Sequence, residues 1–221
     1  MAYVDLITAV HTGTKRDYLG RVNGMDKALA AEAAVRFDHA YWDGDRACGY
    51  GGYHYDGRWR PVAERIADLY KLRAGSRVLD VGCGKGFLLY ELTQVVPGLM
   101  VAGLDISAYA IENAKPEVRS FLQVGNAREL PFEKGSFDFV FSITTLHNLF
   151  LNDLWAALGE IARVSAGGHS HVTVEAYRTE REKVNLMYWQ LTCRAFHTPQ
   201  EWAWLFEKAG YTGDYGYIYF E

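Results

Sequence analysis

The run Arg77-Val78-Leu79-Asp80-Val81-Gly82-Cys83-Gly84-Lys85-Gly86-Phe87 constrains this chain more than any other feature. It reads as an apolar strand that ends in an acid and then enters a loop with glycine at alternate positions. Gly82, Gly84 and Gly86 let the backbone turn sharply and let a ligand approach without meeting a Cβ atom. A dinucleotide-binding fingerprint places its third glycine one residue later and delivers a pyrophosphate to a helix N-terminus. Asp80 opposes that reading, because a carboxylate at the strand's end repels phosphate oxygens. It suits a ligand whose nearest group is an ammonium.

A second acid follows at the right distance. Val101-Ala102-Gly103-Leu104-Asp105 reads as the next strand, and Asp105 ends it where a ribose-binding carboxylate is expected after a glycine-rich turn. An ionised carboxylate accepts the two vicinal ribose hydroxyls as a pair. In motif order and spacing, from Pro61 to Ala176, the chain resembles the class I S-adenosylmethionine-dependent methyltransferase family. The resemblance implies S-adenosyl-L-methionine as cofactor. Asp80 would then face the methionine ammonium, Gly82, Cys83 and Gly84 would line the sulfonium and ribose, and Asp105 would hold the ribose hydroxyls. Ile106 would lie against adenine, with Ser107 as a helix cap. Where the family commonly has Asp before a small residue, this chain has Asn126-Ala127, which keeps an acceptor and an N–H donor but loses the charge. Thr144 stands at the next converging strand end.

Composition narrows the partners. The 221 residues fit one domain with an extension, and a net charge of −4 with no basic block argues against nucleic acid. Met1 to Val10 lacks a basic n-region and a long apolar core, and no run approaches membrane-spanning length, so a cytoplasmic location without membrane association is expected. Cys48, Cys83 and Cys193 lack Cys-x-x-Cys spacing and support neither a disulfide framework nor a zinc site. His169 and His171 share a strand face, but at the rim opposite the cofactor, so no metal site is expected.

Along the chain, residues 1–60 read as an N-terminal cap or lid. A helix is predicted from Asp26 to Ala40, then an aromatic, glycine-containing loop from Tyr41 to Trp59. Residues 61–221 read as the methyltransferase domain, with 177–198 an inserted segment beside the substrate. Pro61 opens a helix that Gly75 stops. Strands follow at Arg77–Val81, Met100–Asp105, Phe121–Val124, Phe137–Ile143 and His171–Ala176. Helices are expected at Phe87–Val96, at Ala108–Ala114 with Pro116 ending it, after a cap at Asn152, and at Pro199–Ala209. This alternation predicts an α/β fold: a Rossmann-like, doubly wound, mostly parallel sheet with helices on both faces. The family's sheet usually closes with a sixth strand and an antiparallel seventh. Here Tyr211–Phe220 reads as one strand, with a short hairpin at Gly216 as the alternative.

For the acceptor side, His147 and Glu175 are the candidate catalytic residues. His147 follows the fourth strand and can serve as a base, or be a packed histidine; Glu175 ends the fifth strand and can orient an acceptor, or pair with Arg178. Tyr53, Tyr55 and Trp59 can wall the site, as can Met187, Tyr188 and Trp189, and Arg58 can reach the cofactor's carboxylate or an acidic acceptor. Core packing is the other reading for both aromatic groups. Asp43 and Asp45 read as turn residues before substrate acids, Lys85 as a solvated first-turn residue and Asp138 as a structural acid. The expected function is methyl transfer to an oxygen or nitrogen of a small molecule, with the oligomeric state open. The alternatives are a non-catalytic cofactor-binding subunit that docks a partner protein and, less favoured, a nicotinamide oxidoreductase.

Overall fold

The computed structural model describes residues 1–221. Before the first strand lie α1 (Thr8–Thr12), α2 (Tyr18–Gly24), α3 (Lys27–Ala34), α4 (His39–Trp42) and α5 (Arg60–Leu69). The single helix expected from Asp26 to Ala40 is two. Asp26 caps α3 by accepting from Ala28 N–H and Leu29 N–H, but Phe37 adopts φ 50° and breaks the path, and Asp38 caps α4 afresh. A non-glycine residue in that region marks a forced turn. Here it brings the aromatic segment back over the sheet.

Six strands form one parallel sheet: β1 (Arg77–Val81), β2 (Met100–Asp105), β3 (Leu122–Val124), β4 (Phe139–Ile143), β5 (Ser170–Glu175) and β6 (Asp214–Ile218), in the order β3-β2-β1-β4-β5-β6. Between them run α6 (Phe87–Val95), α7 (Ala108–Glu112), α8 (Pro116–Arg119), α9 (Leu151–Val164), α10 (Glu180–Trp189) and α11 (Pro199–Lys208). Parallel strands buried on both faces need apolar side chains on both, and the two cores show it. On one face Leu79, Val140, Val172 and Val174 pack with Leu154, Leu158 and Ile161 of α9 and Trp202 and Phe206 of α11. On the other, Val78, Phe139 and Phe141 pack with Val62 and Ile66 of α5 and Leu88, Leu89 and Leu92 of α6. Strand order reverses at β1, so β1 and β4 part their connections to opposite sides and open a crevice at their carboxyl ends.

Two local expectations change. Asn152 does not cap α9; Phe150 precedes the helix and the Asn152 amide bonds to Asp153. Pro116 ends nothing, because it sits in the first turn of α8. The last strand is single and parallel to β5, with no antiparallel partner among the described strands. Its outer edge is met by the chain's own start: Val4 N–H donates to Tyr215 O at 2.7 Å and Tyr215 N–H to Ala2 O at 3.0 Å. This pairing covers backbone groups that a sheet edge otherwise leaves open.

Candidate functional site

The glycine loop is built as a cradle. Gly82, Gly84 and Gly86 all have positive φ, and Gly82 N–H and Cys83 N–H both donate to Leu104 O at 2.7 and 3.1 Å, pinning the loop to β2. A Cβ on Gly82 would lie 2.0 Å from Thr145 Oγ1, and one on Gly84 would lie 2.8 Å from the Trp42 ring. No side chain fits at either place.

Asp80 and Asp105 converge at the ends of neighbouring strands and line one cavity with Gly82, Cys83, Gly84, Ile106, Asn126, Ala127, Thr144 and Tyr53. Both acids are buried, at 5% and 8% exposure. Asp105 Oδ2 accepts from Gly84 N–H at 2.7 Å and Oδ1 from Ser107 N–H at 2.8 Å. Each oxygen keeps a further lone pair for a hydroxyl. Burial raises the Asp105 pKa, and those two backbone donors oppose the rise. Asp80 is driven well above the usual carboxylate range by burial first and by Asp105 second. No Lys, Arg or His lies within ion-pair distance of either acid among the described residues.

The residues that cover this cavity come from before β1. Trp42 lies over Gly84, with its indole N–H donating to Ser107 Oγ at 2.9 Å and to Phe37 O at 3.1 Å. Tyr50 stacks on Trp42 at 5.4 Å between centroids, and Tyr53 stacks on Phe87 at 5.0 Å. Lys85 fixes the arrangement and is not solvated, which corrects the sequence reading. It is 4% exposed, and its Nζ donates to both Asp43 oxygens at 2.7 Å and to Tyr53 O at 3.0 Å. Asp43 is accordingly a structural acid that also accepts from Tyr109 OH and Tyr53 N–H, and its carboxyl is held below its usual range by these partners against burial.

A second, more polar cavity adjoins the first and shares Tyr41, Tyr50, Tyr53, Thr144 and Asn148 with it. Thr144 has φ 57°, an uncommon conformation for a β-branched residue, at this junction. His147 and Glu175 line the second cavity and are nearly inaccessible. Their contact, 3.4 Å between His147 Nε2 and Glu175 Oε2, is not an ion pair. Burial pushes the imidazole down to about 3, and burial pushes the carboxyl up to about 8 against the Gln190 side chain and Arg16. His147 Nδ1 accepts from Glu175 N–H at 3.4 Å, so its proton belongs on Nε2. Glu175 Oε1 accepts from Gln190, whereas Oε2 has no hydrogen-bond partner among the described residues.

Arg58 is the predicted cofactor residue that stands apart. Its guanidinium pairs with the Asp56 carboxylate on the surface, and it borders the second cavity, not the first. Asp138 pairs with Arg77 at the far rim, and Glu175 does not meet Arg178, which pairs with Glu182 and Glu221. His171 is buried, its ring bonded to Tyr70 OH and Thr173 Oγ1, and no cluster of metal-ligating residues occurs among the described residues. The three cysteines are free and buried. Sequence reasoning placed Trp42 in the covering loop but gave it no role of its own, and it missed Arg16, Arg21 and Arg46 as lining of the second cavity. Only the aromatic density near Trp42 hinted at its place, and nothing local marks the arginines.

Comparison with known proteins agrees with this geometry. A family model described as a methyltransferase domain matches residues 79–172. The 27-O-demethylrifamycin SV methyltransferase of Amycolatopsis mediterranei is 32% identical over 137 residues, 59% of this chain and 47% of that protein. A demethylmenaquinone methyltransferase of Lactococcus lactis is 39% identical over 126 residues, 53% of this chain and 47% of that protein. The chain thus spans about half the length of these curated relatives. Among solved structures, the YcgJ protein of Bacillus subtilis superposes with a TM-score of 0.54 at 23% identity, covering 66% of each chain. The [4+2]-cyclase SpnF superposes with a TM-score of 0.56 at 19% identity, covering 85% of this chain and 70% of its own. Likeness at that identity speaks for the fold alone, and a fold hosts many reactions. Residues 79–172, which carry the glycine cradle and the paired acids, thus match a methyltransferase-domain family model, and the strand order is that of a Rossmann-like methyltransferase fold.

Proposed function

We propose that this protein transfers a methyl group from S-adenosyl-L-methionine to an oxygen or nitrogen of a small molecule. One observation carries the reading: two buried carboxyls, Asp80 and Asp105, face a single cavity in which the protein supplies no cation. Burying acids without a counter-charge is costly, and a ligand with an ammonium and a sulfonium relieves that cost while its ribose hydroxyls find acceptors. The residues fit such a ligand. Asp80 is placed to accept from an ammonium, Asp105 to accept a hydroxyl pair, and Ile106, 53% exposed, to lie against a flat base. Asn126 Oδ1 already accepts from Arg128 N–H at 3.1 Å and retains one acceptor site beside Ala127 N–H.

When bound, the cofactor supplies an electrophilic methyl on a positively charged sulfur. The chain's own task is alignment and exclusion of water. Trp42, Tyr50 and Tyr53 shield the donor cavity, and the Thr144–Asn148 junction is the passage to the acceptor cavity. Glu175, whose carboxyl burial raises above its usual range, positions an acceptor by hydrogen bonding at the wall of the second cavity. His147 holds Glu175 through its ring and is a positioning residue. Two named relatives act on small molecules, a rifamycin and a demethylmenaquinone, which supports a metabolite acceptor. The helical cap of residues 1–60 and the 177–198 segment supply the walls that select it. Calorimetric titration with S-adenosylhomocysteine, and radiolabel transfer from the cofactor into a metabolite extract, test the proposal. Binding of NAD in place of S-adenosylhomocysteine would end it.

A further inference from the structure

The second cavity carries an unbalanced charge. Arg16, Arg21 and Arg46 all border it and all lie against the Trp189 ring, at 5.5, 4.8 and 5.2 Å from its centroid. None has a carboxylate within ion-pair distance among the described residues. Main-chain carbonyls hold them instead, joined for Arg16 by His11 Nδ1 at 3.0 Å. Arg16 donates to His11 O and Thr14 O, Arg21 to Trp189 O and Arg46 O, and Arg46 to Gly49 O and Tyr50 O. These bonds orient the guanidinium groups without neutralising them.

The other titratable groups around the cavity do not restore balance. Arg58 is already paired with Asp56, and His11 is kept neutral by burial and by Arg16. Glu175 is the one carboxyl facing inward, and burial suppresses its charge. Arg16 Nε is buried with no acceptor, and the only other buried side-chain polar atom so left among the described residues is Glu175 Oε2 in the same cavity. Buried polar groups are normally satisfied, so two orphans on one cavity point to a ligand that completes them.

We infer that the acceptor is an acid, whose carboxylate or phosphate is gripped by Arg16, Arg21 and Arg46. Planar guanidinium forks match both oxyanions in geometry, and several of them in a partly desolvated site discriminate strongly against neutral and cationic molecules. Tyr41, Tyr50, Trp189 and Phe220 provide aromatic walls for the remainder of such a molecule. The cavity, about 420 Å³, is large enough for a ring plus its acid group. This inference rests on the methyltransferase reading for the word acceptor, but the anion site stands on its own residues.

The test is titration of the full chain with benzoate and phenyl phosphate, with methyl benzoate and benzylamine as neutral and cationic counterparts, in the presence and absence of saturating S-adenosylhomocysteine. At least one oxyanion should bind, and whichever binds more tightly tells carboxylate from phosphate. Arg16→Gln should weaken that binding at least tenfold while leaving S-adenosylhomocysteine affinity unchanged, which also shows that the variant folds. Arg46→Gln, at an exposed side chain, serves if Arg16→Gln does not fold. Equal binding of methyl benzoate, undiminished binding in the arginine variants, or no binding of either oxyanion would overturn the inference. Oxyanion binding without any S-adenosylhomocysteine binding would instead locate the failure in the cofactor reading.

Discussion

Lys85 Nζ lies 2.7 Å from both oxygens of Asp43, joining the glycine loop to a segment 42 residues earlier. The pair, with Tyr53 O as third partner, holds Trp42, Tyr50 and Tyr53 over the cradle. Removing one partner from a buried pair leaves an uncompensated charge. Lys85→Met should therefore cost about 3 kcal/mol in denaturant unfolding. Limited proteolysis should cut residues 43–57 faster, and S-adenosylhomocysteine should bind more weakly. Unchanged proteolysis would show that the aromatic cover is held by stacking alone.

Asp105 serves the loop as well as the ligand, because Gly84 N–H and Ser107 N–H both end on its carboxylate. Asp105→Ala leaves two buried donors without an acceptor, and we expect a loss of about 1–3 kcal/mol in stability with at least a tenfold loss of S-adenosylhomocysteine affinity. Asp105→Asn keeps one acceptor oxygen and should fall between wild type and Asp105→Ala on both measurements.

Gly82 combines φ 90° with a side chain's worth of Thr145 in its way. Gly82→Ala should cost roughly 1–3 kcal/mol from backbone strain alone and displace Thr145 at the junction of the two cavities. Thermal unfolding and calorimetry of the same sample separate the two effects. Gly135, which also has positive φ but nothing within 4 Å of its would-be Cβ, is the control. Gly135→Ala should leave cofactor affinity intact.

Protonation gives a stability curve with opposite slopes from two sets of groups. The Glu175 carboxyl is pushed by burial from an ordinary 4.5 up to about 8. Between those values the folded chain keeps a proton that the unfolded chain releases, so this contribution is complete below pH 4.5 and is lost as pH rises through about 8. Glu175→Gln should gain relative to wild type between pH 5 and pH 9, by on the order of 1 kcal/mol or more. Burial lowers His147 to about 3 and His11 and His171 to about 4 from an ordinary 6.5. Their neutral forms stabilise the fold above pH 6.5, and that stabilisation is lost as pH falls from 6.5 toward 4. Urea midpoints across pH 4–9 check both slopes.

His147→Gln tests positioning against base catalysis. The amide can still contact Glu175, so turnover should persist with its pH profile shifted and cofactor affinity unchanged. Loss of turnover at every pH, with binding retained, would make His147 the proton acceptor.

The sequence alone determined the alternating architecture, the glycine cradle and the acids Asp80 and Asp105, because each depends on neighbours close along the chain: a strand's apolar run, its terminal acid, the turn after it. That the chain closes on one strand was legible in Tyr211–Phe220, although the strand itself is shorter, Asp214–Ile218, and its parallel direction came from the sheet. Tertiary structure decided the rest. Lys85 looks like a solvated lysine until Asp43 meets it, and Arg16, Arg21 and Arg46 become a cluster only where the turn before α2, α2 itself and the segment after α4 fold against Trp189. Whether a charge is exposed, paired or left facing a cavity depends on residues distant in sequence, and no local spacing encodes that.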